Sequence, residues 1–426
     1  MLKRTTFFNP NFYIFINIVT VFIMLTIPKE IYKYYLLEPK FINFSVFLYI
    51  ALSSICFIMG YRFSPNFYIS STIKEIPNKD LLIKAISILL FFMILTNVYV
   101  IIKFSSVMPI SSIISSYNQG AFTTGGVFDA YQYAVTGVSW FLICSIPLVN
   151  ISFWIKWHNK TGILFNILLY SCTVISLIRP AIRGDRGVLL GSIFSLFILY
   201  VFYKFTIKKL NIFKLAVYLS LVLFFGLSIF TVYQYSRFNT TDRPTYFIIS
   251  QIFGYYAGSY NRFGYQLTYH APFLQSNGYY IFQFLYDLPI LNKIIPLEGF
   301  VRNITGYVPP ISTFWLWLSE GLNPNFNVLS GYGDTFVDFH WFGSLFFIFY
   351  GILAKTIFTS FLKKTYFGIM AYPIFIWDLL ELRGKLEVVY YNFVSIIIFS
   401  FILGLLLDYT SKVANLNNGQ SSNNNN

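Results

Sequence analysis

The chain has 426 residues, of which 56% are hydrophobic and only 11% charged, and it carries a formal net charge of +14. Apolar runs long enough to cross a bilayer recur along it, which excludes a soluble globule and predicts an all-α polytopic membrane protein. The basic residues are scattered between the runs rather than gathered on one domain, which argues against nucleic acid and fits cytoplasmic loops facing anionic lipid.

About ten spans (10–12) are predicted, at 11–27, 41–60, 81–102, 135–153, 161–178, 187–203, 212–235, 341–362, 366–380 and 388–407. The first lacks a small-residue cleavage site and is followed by Pro28-Lys29-Glu30, so it is expected to be a retained span. The ninth is the weakest, being short and carrying Pro373 and Asp378. Cys56, Cys144 and Cys172 all fall inside apolar runs, with neither a disulfide framework nor metal-ligand spacing.

Basic residues set the orientation. With the N-terminus inside, the inner segments hold Lys3, Arg4, Arg62, Lys74, Lys79, Lys156, Lys160, Lys204, Lys208, Lys209, Lys214, Lys363, Lys364 and Lys412. Against them stand Glu75, Asp80 and Asp408. Both termini are then cytoplasmic. The organisation expected is a bundle over 1–235, a large outer loop over 236–340, C-terminal spans over 341–410 and a disordered Asn-rich tail over 411–426.

One turn breaks the charge rule. Arg179-Pro180-Ala181-Ile182-Arg183-Gly184-Asp185-Arg186-Gly187 joins two apolar runs on the outer side, where basic residues are normally sparse. Pro180 suits the first position of a helix, which would place Arg183 and Arg186 one turn apart on one face. Cations at a helix N-terminus are unfavourable by themselves, and an external anion would resolve the conflict. The plainer alternative is a surface pairing with Asp185 and stems lying along the lipid boundary.

The loop 103–134 is nearly uncharged and rich in Gly and Ser, as a flexible rim would be. The loop 236–340 holds most of the unusual polar groups: Arg237, Arg243, Arg262, Arg302, His270, Glu320, Asp334, Asp338 and His340. Its apolar pieces at 245–256 and 281–296 look too short to span and are expected to be interfacial or re-entrant helices. Tyr260, Tyr265, Trp315, Trp317 and Tyr332 are among its many aromatics. They form either an interfacial belt or a wall on which a pyranose can stack. Asp334, Asp338 and His340 lie in Tyr332-Gly333-Asp334 and Val337-Asp338-Phe339-His340-Trp341-Phe342-Gly343, just before the eighth span. They are either acid–base groups near the membrane surface or a capping turn that enters a helix. No phosphate-binding glycine loop, metalloprotease pair or paired carboxylates for a divalent cation are present.

The Arg-Gly-Asp-Arg-Gly turn, the long outer loop and the Tyr-Gly-Asp…Asp-Phe…Phe-Gly entry to a late span together resemble the O-antigen polymerases (Wzy), or oligosaccharide repeat-unit polymerases. The resemblance implies a GT-C-like glycosyltransferase in the bacterial cytoplasmic (inner) membrane with its active site facing the periplasm. It would need no metal or other cofactor. Its substrate would be an undecaprenyl-pyrophosphate-linked oligosaccharide, with membrane lipid, a chain-length regulator and a flippase of the same pathway as further partners. The growing glycan would pass from its carrier to a fresh lipid-linked repeat. By motif, anion handling falls to Arg183 and Arg186, and location extends it to Arg179, Arg237, Arg243, Arg262 and Arg302. The acceptor hydroxyl would lose its proton to Asp334, Asp338, Glu320 or a histidine such as His340. Sugar contacts would fall to Tyr260, Tyr265, His270, Trp315, Trp317 and Tyr332. Two other activities compete: an O-antigen ligase, which shares the architecture, and a lipid-linked oligosaccharide flippase, which would show an internal repeat.

Overall fold

A computed structural model describes residues 6–69, 79–107, 138–183, 186–207, 244–269, 276–286, 295–306, 320–323, 326, 329–386 and 390–423, with isolated positions between 217 and 231. All regular structure among them is helical. In chain order the helices are α1 (Pro10–Thr26), α2 (Lys29–Tyr35), α3 (Phe44–Phe63), α4 (Lys79–Val107), α5 (Ser139–His158), α6 (Ile163–Arg183) and α7 (Arg186–Thr206). They continue as α8 (Pro244–Tyr269), α9 (Gln283–Tyr286), α10 (Leu297–Thr305) and α11 (Gly331–Phe339). A 3-10 turn, His340–Leu345, leads into α12 (Phe346–Leu362), which is followed by α13 (Tyr366–Glu381) and α14 (Tyr391–Asn423).

Local chemistry sets several of the boundaries. Asn9 caps α1 by accepting from Asn11 N at 3.0 Å, with Pro10 at the first helical position. Asn43 caps α3 by accepting from Ser45 N and Val46 N. Pro28 drives Ile27 into an extended conformation, so α1 and α2 meet at a bend of 96°. The Lys40 ammonium then donates to Leu25 O at 2.6 Å and Ile27 O at 2.8 Å, a cation on the negative end of α1.

Seven described helical segments are long and apolar enough to cross a membrane: 44–63, 80–107, 141–158, 163–180, 187–206, 331–362 and 392–410. The bent pair α1–α2 would make an eighth. The protein is therefore a polytopic helical membrane protein, with seven or eight candidate spans among the described residues beside the ten predicted for the whole chain. The predicted span 212–235 lies largely outside the described residues, as does the rim predicted at 103–134. The predicted ninth span is α13. Its 16 residues reach only about 24 Å, short of the roughly 30 Å hydrocarbon layer. Most of its side chains are buried, which accounts for an apolar sequence with no need of lipid.

Two further expectations change. The piece at 245–256 is the start of α8, whose 26 residues form one continuous helix. Its polar residues Asn261, Arg262 and Gln266 are fully buried, and they depress the apolar signal without breaking the helix. At the other end α14 continues to Asn423, through the stretch predicted to be a disordered tail. Each further residue added to an established helix gains a hydrogen bond without a new nucleation cost.

The helices gather into two compact units, and neither is continuous in sequence. Unit 1 comprises 1–67, 242–358 and 378–394; unit 2 comprises 68–241, 359–377 and 395–426. Residues 242–358 thus fold in one unit with the first three helices. In unit 1, Gly60 of α3 and Gly351 of α12 let two backbones touch: a β-carbon at Gly60 would lie 2.0 Å from Ile348 O. In unit 2, α4–α7 pack on one another. Asn150 donates to Ser195 Oγ at 2.9 Å and Met370 O at 3.3 Å, and Trp154 stacks on Phe202.

Candidate functional site

The densest polar arrangement lies inside unit 1, where the strap between α2 and α3 crosses α8. Asn261 and Arg262 turn inward from adjacent positions of that helix. Asn261 Oδ1 accepts from Phe41 N at 2.6 Å and Ile42 N at 3.1 Å, while its amide donates to Glu38 Oε1 at 2.9 Å and Pro39 O at 2.8 Å. The Arg262 guanidinium donates to Glu38 Oε2 at 3.2 Å and to Gly258 O at 2.9 Å, and also to Asn323 O. Asn323 closes the ring by donating its backbone N–H to Glu38 Oε2 at 2.9 Å and its amide to Leu36 O at 2.9 Å. Both charged side chains are 0% exposed. Burial pulls the Arg262 pKa down and the Glu38 carboxylate opposes that, so the charge persists because its partner is buried with it.

Arg262 was expected to hold a pyrophosphate. Its place beneath the surface, bound to protein acceptors, makes it a strut between α8, the α2–α3 strap and Asn323. Arg302 lies on the exposed side of α10 and pairs with Glu298 at 2.5 Å, four residues before it. Arg179 is buried in α6. Arg237 and Arg243 lie outside the described residues.

The arginine turn differs from its predicted geometry. Pro180 does not open a helix; it lies inside α6, which runs on to Arg183, and Arg186 then begins α7. A helix loses only one N–H donor at a proline and can continue where the flanking run holds it. Arg183 and Arg186 therefore belong to different helices and do not share a face one turn apart. Arg183 sits at the negative end of α6, which suits a cation, and Arg186 at the positive end of α7, which does not. Residues 184–185 and the side chains of 181–186 lie outside the described residues.

The carboxylates separate into two kinds. Asp338 is buried near the end of α11 and accepts from Gly278 N at 3.1 Å, Tyr280 N at 3.2 Å, Ile281 N at 2.7 Å and the Ser276 hydroxyl. It organises the turn 276–281. Asp334 is buried in the first turn of α11 and accepts from Leu386 N at 3.2 Å. That contact fastens the 382–386 turn, whose Leu382 O in turn accepts from Gly331 N at 2.9 Å. Glu320 is different: it is exposed, and its carboxylate accepts from the Tyr265 hydroxyl. Burial and this carboxylate push the Tyr265 phenol up to about 12, so it remains a donor at neutral pH. His340 is exposed at the C-cap of α11 with φ of 51°, and its ring meets the edge of Phe336.

Of the expected sugar-stacking rings, Tyr260 and Tyr332 are fully buried; Tyr332 stacks on Phe347. Tyr265 lies beside Phe41 and Tyr269, next to Glu320. His270, Trp315 and Trp317 lie outside the described residues. Among the described residues no three His, Cys, Asp or Glu side chains are placed to hold a metal ion.

The sequence reading missed two participants. Glu38, on the short strap after α2, gave no periodic or motif signal. Arg383 donates to Tyr255 O at 3.1 Å, pairs with Glu381 at 2.9 Å and lies 4.3 Å from the Tyr256 ring centre. Its signal was local: Glu381-Leu382-Arg383-Gly384 is a charged turn directly after an apolar helix. In comparisons with protein-family models, curated proteins and solved structures, the chain matches none.

Proposed function

We propose that the chain is a metal-independent, GT-C-like glycosyltransferase that polymerises undecaprenyl-pyrophosphate-linked oligosaccharide repeats at the outer face of the bacterial cytoplasmic membrane. The observation that carries this reading is the junction of α6 and α7. There α6 ends at Arg183 and α7 begins at Arg186, in a first turn that contains no acidic residue. Neither the lipid nor the helix dipole favours a cation at that place, whereas a phosphate does.

The chemistry requires an anion grip and a base. In the transfer the bond between the anomeric carbon and phosphate oxygen breaks, and the pyrophosphate leaves with the electron pair. The acceptor hydroxyl oxygen bonds to that carbon and gives up its proton. Arg183 and Arg186 are assigned to the leaving pyrophosphate, whose charge grows in the transition state. Within unit 1, the candidate for the base is Glu320. Asp334 and Asp338 hold backbone donors in the interior, whereas Glu320 is exposed beside a tyrosine.

Deletion of the gene in its own host is the first test. Single repeats should remain attached to the surface while polymer disappears; loss of all surface glycan with polymer retained on the lipid carrier would favour a ligase instead. Arg186→Lys keeps the charge but loses the planar two-pronged donor, so it should lose much of the polymer. Arg186→Ala should lower polymerisation on the order of a hundredfold at unchanged membrane protein level. Normal chain length from both Arg183→Ala and Arg186→Ala at normal protein level refutes the anion grip.

A further inference from the structure

The helix α10 carries three different faces on nine residues. Val301 and Thr305 are buried, and Val301 packs with Tyr279, Tyr286, Tyr280 and Leu297. Glu298 and Arg302, four residues apart, form an exposed ion pair on a second line. Phe300 and Ile304, also four apart, fall on nearly the opposite line from that pair and are 61% and 68% exposed. Exposed singly, such residues need no explanation; aligned on one side of an amphipathic helix they do.

Further exposed apolar residues flank the helix. Ile295 just before it is 49% exposed, and Phe282 on the neighbouring turn is 42% exposed. A β-carbon at Gly278 would lie 3.4 Å from the Phe282 ring and 3.3 Å from the Phe339 ring. Phe339, Trp341 and Phe342 are themselves exposed, and they lie in the segment 331–362 that is apolar enough to cross a membrane. The 276–281 turn on which the buried side of α10 packs thus also touches Phe339, inside a candidate span, while Phe300 and Ile304 face away from the Glu298–Arg302 pair.

We propose that α10 is an interfacial helix, seated in the headgroup region of the bilayer with Phe300 and Ile304 in the acyl chains and the Glu298–Arg302 pair in water. The occupant of this face is lipid. That occupant follows from the 276–281 turn, which ties α10 to Phe339 within a candidate span, and the inference does not depend on the polymerase reading.

The test is site-directed spin labelling of the full-length protein in phosphatidylglycerol–phosphatidylethanolamine nanodiscs. The three native cysteines, all buried, are first replaced by serine or alanine. Labels then follow Phe300→Cys, Ile304→Cys and Arg302→Cys, each kept only if it elutes as the parent does. Labels at 300 and 304 should collide several-fold more with oxygen than with chromium oxalate, and the label at 302 should show the reverse. Equal access of all three to the aqueous reagent overturns the proposal. So does protection of 300 and 304 from both reagents with dipolar broadening between copies, which would make the face a protein–protein contact.

Discussion

Glu38 and Arg262 bury a full charge pair, and removing either partner strands the other in the interior. Glu38→Ala should therefore cost roughly 3–5 kcal/mol. Replacing both, Glu38→Met with Arg262→Met, should recover most of that loss, because two buried charges are exchanged for packed apolar groups. Thermal unfolding in detergent measures it: a double variant no more stable than the single one would mean that the surrounding hydrogen bonds, and not the charge, hold the strap. Glu320 belongs to the opposite case. It is exposed, so Glu320→Gln should leave the unfolding temperature near that of the parent. As the base it should lower polymerisation about a hundredfold, the usual scale for proton transfer by a positioned group. Full activity in Glu320→Gln removes the residue from the chemistry while leaving the anion grip standing.

At the scale of elements, the strap and α8 approach so closely that only glycine fits between them. A β-carbon at Gly264 would lie 2.4 Å from Phe41 O and 2.8 Å from Ile42 N. The strap has little room to yield, since the N–H groups of Phe41 and Ile42 both donate to Asn261 Oδ1. Gly264→Ala should accordingly destabilise by about 1–3 kcal/mol. Gly299 in α10 is the control, with nothing within 4 Å of its would-be β-carbon. Gly299→Ala should be neutral or stabilising by up to about 1 kcal/mol, because alanine is the better helix former. Equal unfolding temperatures for the two variants would show that the strap moves aside.

On the scale of the whole molecule, the positive-inside pattern gives each connection a side. Asn159 ends α5 beside Lys156 and Lys160, whereas Glu320 belongs to the acid-bearing segment between α10 and α11. In spheroplasts of a cysteine-free background, a cysteine at 320 should react with an impermeant thiol reagent and one at 159 should not. Labelling at 159 with protection at 320 would reverse the orientation and move the proposed chemistry to the cytoplasm.

The helical class and the membrane location were legible from the sequence, because bilayer insertion depends on the average polarity of some twenty consecutive residues, which any chain displays directly. The cap at Ser330, within the capping turn expected before the eighth span, was local in the same way. Exposure of a carboxylate or an arginine is not local. Asp338, Glu320, Arg262 and Arg302 look alike in sequence. One holds three backbone donors and a hydroxyl, one stands exposed beside a tyrosine, one is a buried strut and one lines a helix surface. The difference comes from residues far away along the chain: Glu38 meets Arg262 across 224 positions and Asn323 across 285. Burial of a charge is tolerated only where such a partner arrives, and tertiary folding alone determines which partners arrive.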